Sequence, residues 1–215
     1  MDLDGVQIGA VDPGDAVETY RRLLGAEPER VGRASRFALE RGAVEIVPGE
    51  PGLRSIHFVG SSPRGWPESF HGLRVTSAPL PVEVGVRAPG IAIDHVVVQT
   101  PDADRAIRLW RDEIGLRLAL DRVFPERGLR LVFFRSGGMT LEFAAAFPPA
   151  ADATAGDVFH AVSYRVADLQ ACRARLVAAG VDVSPIRPGM KPGTSVATVR
   201  SRTGGVPTLL LERHQ

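Results

Sequence analysis

One cysteine, one lysine and no asparagine occur in a chain of 215 residues. The single thiol, Cys172, excludes an internal disulfide framework and any zinc site built on cysteines. It falls on the expected buried stripe of a helix, where a small core residue is the plainer reading than a nucleophile. Lys191 is the only lysine beside many arginines; with asparagine missing as well, this reads as coding bias in a GC-rich genome and carries no mechanism. Long apolar runs are also missing. Nothing approaches the ~18 uncharged residues of a membrane helix, so no span is expected. The first ten residues, MDLDGVQIGA, lack the basic start and apolar run of a secretory signal, which makes the cytoplasm the expected location. The net charge is +1 and the basic residues are scattered, so no field exists to gather nucleic acid or anionic lipid, and neither is expected as a partner.

What is present is an ordinary globular balance, 44% apolar and 24% charged, at a length that suits one large or two small domains. It also contains a repeat. The segment GVQIGAVDPGDAVETYRRLLGA from Gly5 matches HVVVQTPDADRAIRLWRDEIGL from His95 without a gap. Asp12 pairs with Asp102, Ala16 with Ala106, Tyr20 with Trp110 and Gly25 with Gly115, each pair 90 residues apart. A third copy, AVSYRVADLQACRARLVAAGV, starts at Ala161. Ala103, Ala106, Ile107, Trp110 and Ile114 mark one amphipathic helix, and Leu169, Cys172, Leu176 and Ala179 another. Asp102 and Asp168 stand where a carboxylate caps free amides, and Gly25, Gly115 and Gly180 where a left-handed residue ends a helix.

After each helix come strand-like runs broken by turn glycines: RFALERG and AVEIVPG, LRLVFFRSGG and MTLEFAAA, SVATVRSRTGG and PTLLLER. The unit is therefore β-α-β-β-β, expected at about 3 to 50, 91 to 146 and 158 to 213. Between Gly52 and Val86 the strand pattern continues without a helical period, as in a unit that has lost its helix. The proline-rich TSAPLPVEVGVRAPG then separates an N-terminal half, residues 1–86, from a more complete C-terminal half, residues 91–215.

A repeated βαβββ unit with His95 opening its first strand, Asp102 seven residues on, Trp110, a helix-ending Gly115-Leu116 and the closing strand GGMTLEF around Glu142 resembles the vicinal oxygen chelate superfamily of glyoxalases, bleomycin-resistance proteins and extradiol dioxygenases. The resemblance implies an α+β fold in which paired units form open, barrel-like mixed sheets with helices outside and a cavity inside. It also implies a divalent ion (Zn, Ni, Fe or Mn) held by a histidine from each first strand and a glutamate from each last strand. Such an ion acts as a Lewis acid or docks vicinal oxygens.

His95 occupies the histidine position, and strand alternation groups it with Ile93, Val97 and Gln99 on a polar face. Glu142 occupies the glutamate position, as a metal ligand and the catalytic carboxylate. Unpaired burial there would be costly, so it calls for a partner: His95, an arginine or a metal. The last unit supplies the second pair poorly. Alignment on Asp168 places Ala161 at the histidine position and alignment on Gly180 places His160 there; the faces favour Ala161. Leu210 falls at the second glutamate position, with Glu212 two residues on as a displaced ligand or a surface charge. The metal site is thus incomplete relative to the family. In the first unit Gly5 replaces the histidine, Glu45 matches Glu142, and His57 comes two residues late, so that half is read as structural.

The expected cavity wall includes Gln99, Glu142, Ser163 and Arg165, with Arg200 or Arg202 from ATVRSRTGG, and Lys191 on the loop RPGMKPGTSVA over its mouth. An arginine facing an apolar cavity reads as a carboxylate or phosphate anchor or as the partner of Glu142. Three functions remain open on a monomer or homodimer that takes a small-molecule ligand. One is a metal-dependent lyase, isomerase or dioxygenase acting on a small oxygenated metabolite. Another is a metal-free small-molecule or drug-binding protein of the resistance type. The third is a non-catalytic module.

Overall fold

The structure is a computed structural model that describes residues 2–60, 66–78, 88–149 and 155–214. The proline-rich boundary lies largely outside the described residues. The first unit runs β1 (Asp2–Ala10), α1 (Pro13–Leu24), β2 (Glu29–Val31), β3 (Ala34–Arg41) and β4 (Ala43–Pro48). The helix-poor stretch that follows holds β5 (Gly52–Val59), β6 (Ser69–Phe70) and β7 (Leu73–Ala78). The next unit is β8 (Ala88–Gln99), α2 (Ala103–Ile107), β9 (Arg117–Phe124), β10 (Leu129–Ser136) and β11 (Met139–Ala146). The last is β12 (Val158–Arg165), α3 (Leu169–Ala178), β13 (Arg187–Pro188), β14 (Thr194–Val199) and β15 (Thr208–Arg213).

The helices start and stop where local chemistry requires. Asp12, Asp102 and Asp168 each accept the backbone N–H three residues on, at 3.0, 2.9 and 2.8 Å. Gly25, Gly115 and Gly180 all have φ between 60° and 84°, the left-handed turn that releases the chain from the helix. One departure lies in the middle helix. After Ile107 it widens into a π-helical stretch, Arg108–Glu113, with Ile114 N–H donating to Leu109 O at 2.9 Å.

Each complete unit pairs its first strand in parallel with its last: β1 with β4, β8 with β11 and β12 with β15. First strands also pair antiparallel with each other, β1 with β5 and β8 with β12, which joins units into two half-molecules. The sheets are open and mixed, and β3 bonds in parallel to the early part of β8 (Leu39 with Ala88, Arg41 with Ala92), so they merge into one. Helices lie on the convex side of each sheet, and there the halves share a core. Cys172, 1% exposed, points its thiol at Leu23 O, Tyr20 meets Tyr164 edge-on, and Phe58 stacks on Trp110.

Candidate functional site

The concave face of the C-terminal sheet carries the polar groups. Val96, Val98, Leu141 and Phe143 are buried on the helix side, which turns His95, Thr140 and Glu142 the other way. Cross-strand register sets Thr140 opposite His95 and His95 opposite Ser163, with Glu142, Val97 and Ala161 forming the next row.

Two matched bulges shape this centre. The β8–β12 ladder skips Asp94 on one strand and His160 on the other, while Val96 faces Val162 across the middle. Each bulge residue therefore immediately precedes the histidine position of its own unit. That register makes Ala161 the counterpart of His95, and His160, exposed, the counterpart of Asp94. A bulge re-aims side chains, and here it brings the Asp94 carboxylate to the His95 ring, with Oδ2 3.0 Å from Nδ1. It also corrects one expectation. Ile93 lies beyond the bulge, pairs with Tyr164 and is 1% exposed in the core, so it does not share the face of His95.

Burial pushes the Asp94 carboxyl up, but His95 and a 2.6 Å contact from Arg213 outweigh it and hold it below its ordinary range. Ionised, Asp94 can only accept, so it takes its hydrogen bond from the Nδ1–H of His95, which fixes the ring and leaves Nε2 without a hydrogen-bond partner among the described residues. Glu142 differs. Burial pushes its carboxyl up, His95 offsets this in part, and it makes no hydrogen bond or ion pair among the described residues. Its folded pKa lies above the unfolded value. The stability tied to its protonated form is full below the unfolded carboxylate range and declines as pH rises through the raised value. The variant Glu142→Gln is therefore expected to melt above the wild type at pH 7, the gap closing towards pH 4. Thermal melts across that range check this, and a variant less stable at pH 7 would show the carboxylate is held by a partner.

The other residues singled out in the sequence fall in several places. Gln99 is exposed at the end of β8, in register with Ala144. Arg165 is partly buried between Tyr164 and Val166, whose side chains pack in the core, and it makes no ion pair among the described residues, Glu142 included. Arg200 is exposed, with Asp182 3.9 Å away, and Lys191 is exposed on its loop. Glu212 requires a correction as a metal ligand. Its Oε2 accepts Leu169 N–H at 3.0 Å at the start of α3, on the helix side with Leu210. By register the concave residue of β15 beside Ser163 is Leu209, so Leu209 and not Leu210 stands at the second glutamate position.

The donor set therefore does not fit a resident metal of the family's four-ligand kind. His95 and Glu142 come from one unit, and the other offers a methyl and an isobutyl group. Among the described residues no group of three or more His, Cys, Asp or Glu side chains gathers to hold an ion.

The N-terminal half holds a recess of its own. A cavity of about 310 Å³ is lined by Asp4, Gly5, Arg36, Glu45, His57 and Thr76, among others. A side chain at Gly5 would bring its Cβ within 2.7 Å of Ala43 O, so the position that matches His95 must stay bare. Glu45 accepts from Arg36 at 3.2 Å and Gln7 at 3.3 Å, and His57 Nδ1 lies 2.8 Å from Thr76 Oγ1. Burial pushes the His57 pKa down, with Glu45 opposing, so this ring tends to neutrality.

A shared first-strand seam, capped helices on the convex side and a polar centre on the concave side define a paired-βαβββ scaffold. Residues 94–198 match the family described as Glyoxalase/Bleomycin resistance protein/Dioxygenase superfamily, and this stretch of the chain belongs to it. A triply substituted 4-hydroxymandelate synthase from Streptomyces coelicolor aligns over 99% of this chain and 92% of its own at 12% identity, with a TM-score of 0.73, a likeness of fold. Methylmalonyl-CoA epimerase from Mycobacterium tuberculosis aligns over 57% of this chain and 88% of its own at 23% identity and TM-score 0.46. A hypothetical protein from Bacillus halodurans does so over 58% and 96% at 17% identity and TM-score 0.48. No curated protein matches in sequence. Among the described residues no helix is long and apolar enough to cross a membrane.

Proposed function

We propose that the protein binds a small oxygenated molecule on the concave face of its C-terminal sheet, with His95 and Glu142 as the groups that meet it and without a resident metal. The observation that carries this is the asymmetry of the centre. One unit keeps an oriented histidine and a carboxylate, while Ala161 and Leu209 leave the opposite positions apolar. A carboxyl with a raised pKa beside an imidazole fixed through Nδ1 can exchange a proton with a bound hydroxyl, carbonyl or enol. Arg165, with no acidic partner among the described residues, supplies a fork for a carboxylate on the same ligand.

A metal-dependent lyase, isomerase or dioxygenase is the second reading. One feature favours it: a histidine held by a carboxylate at one nitrogen, with the other free, is the arrangement that orients metal ligands. Metal content after purification without chelators or affinity tags separates the two. Substoichiometric divalent metal is expected, along with stabilisation by members of a panel of small dicarbonyls, catechols and hydroxy acids. Affinity for such a ligand should fall at least tenfold in His95→Ala and in Arg165→Met, on the order of the 1.5–3 kcal/mol of a charge-assisted bond. Stoichiometric metal that disappears in His95→Ala would overturn the metal-free reading.

A further inference from the structure

The row of concave residues that contains His95 does not end at Thr140. Across β10 and β11 Thr140 faces Arg135, and across β9 and β10 Arg135 faces Arg117. The two arginines thus hold directly opposed strand positions, where like charges weaken a sheet unless an anion offsets them. No acidic side chain relieves it: neither arginine makes an ion pair among the described residues, and Arg135 gives Nη1 to Thr140 Oγ1 at 2.8 Å. The contrast with the other face of β10 is direct, because Arg130 there is matched by Asp104 at 2.9 Å and Asp121 at 2.8 Å.

Arg117 and Arg135 line a recess of about 490 Å³ with Gly115, Gly137 and Gly138, among others. Asp2 is the one carboxylate in its wall among the described residues, and its Oδ1 is already taken by Gly137 N–H at 3.0 Å. A third guanidinium lies alongside. A side chain at Gly138 would collide with Arg41, which likewise makes no ion pair among the described residues.

We propose that this recess is a subsite for the carboxylate or phosphoryl group of the bound molecule, gripped by Arg117 and Arg135 while the rest of the molecule runs along the row to His95. The assignment rests on the reading of His95 and Glu142 as the groups that face the ligand. Arginine forks pair both oxygens of such an anion. Arg135 stands two strands from His95, a span of about 10 Å at the ordinary strand spacing, which a small metabolite with one anionic end can bridge.

Inorganic phosphate and malonate are the probes, titrated at constant ionic strength and followed by thermal shift and calorimetry on the wild type, Arg117→Gln, Arg135→Gln and His95→Ala. Arg187→Gln, an exposed arginine on β13, controls for loss of one positive charge. At least one probe is expected to stabilise the wild type, malonate indicating a carboxylate and phosphate a phosphoryl group. Each of the two recess variants should bind it at least tenfold more weakly while melting, without ligand, at or above the wild-type temperature, because the repulsion has been relieved. Arg187→Gln should bind the probe as the wild type does. The inference is overturned if the wild type responds to neither anion, or if both recess variants respond like the wild type. It is equally overturned if they lose binding only together with a drop in unliganded melting temperature, or if His95→Ala loses the probe and they do not. Since the deciding comparison is between the recess variants and Arg187→Gln, failure here leaves the His95–Glu142 reading standing. Failure of that reading in the metal and ligand-panel experiments leaves the arginine subsite.

Discussion

Trp110→Ala is expected to lower the melting temperature by about 10 °C, the largest effect of any single aromatic replacement in this chain. Trp110 is fully buried, with its ring 6.1 Å from Phe58, 5.9 Å from Phe70 and 5.9 Å from Phe143. Phe58 and Phe70 belong to the N-terminal half and Phe143 to β11, so a single side chain from the π-helical stretch fills the space where the halves meet. Truncating a buried tryptophan costs roughly 3–5 kcal/mol, and a chain of this size loses about 2–4 °C for each. The indole N–H is buried without a partner among the described residues, a cost the folded protein carries already. Trp110→Phe should therefore lose far less than alanine does. Denaturant and thermal melts of the two variants test this, and equal losses would mean that ring packing is not what Trp110 contributes.

Arg105→Met should destabilise on the order of 3–5 kcal/mol, and adding Asp157→Ala should recover most of that loss. The Asp157 side chain is fully buried, and Arg105 Nη2 reaches its Oδ1 at 2.8 Å and Ala155 O at 3.2 Å. Asp157 Oδ2 has no hydrogen-bond partner among the described residues, and the guanidinium offsets the burial of the carboxylate. Removing it strands a charge, whereas removing both partners leaves an apolar pocket, which is much less costly. Chemical denaturation of the two single variants and the double variant forms the cycle that measures the coupling. Loss in the double variant equal to the sum of the singles would show that the pair is not coupled.

Local chemistry was legible in the sequence, and lateral pairing much less so. Asp12, Asp102 and Asp168 act on amides three residues away, and Gly25, Gly115 and Gly180 on the turn they occupy, so each could be read from its own neighbourhood. The three units followed from those signals. Bulges could not be read this way. The extra residue at Asp94 turned Ile93 into the core against simple alternation. Two alignments of the last unit differed by one residue because the helical stretch from Asp168 to Gly180 is one residue shorter than that from Asp102 to Gly115. Glu212 was assigned to the wrong face because the register of β15 against β12 is set by pairing over some 45 residues, which composition does not encode. The opposition of Arg117 and Arg135 is a register fact of the same kind. His57 was visible as a histidine two positions late, but its place beside Glu45 and Thr76 depends on β5 joining β1 and β7.

The first strand is fastened late. Leu3 N–H donates to the buried Ser136 hydroxyl and Asp2 accepts from Gly137, contacts that span 133 and 135 residues of chain. Closing a loop of that length costs entropy before any contact repays it, and parallel pairing between β3 and β8 adds another distant closure. During synthesis β1 emerges first and waits while more than half of the chain follows, so β3 presents an open, pairing-competent edge until β8 arrives. The seam that makes the folded sheet continuous is thus also where a nascent or refolding chain is most exposed to pairing with a second copy of itself.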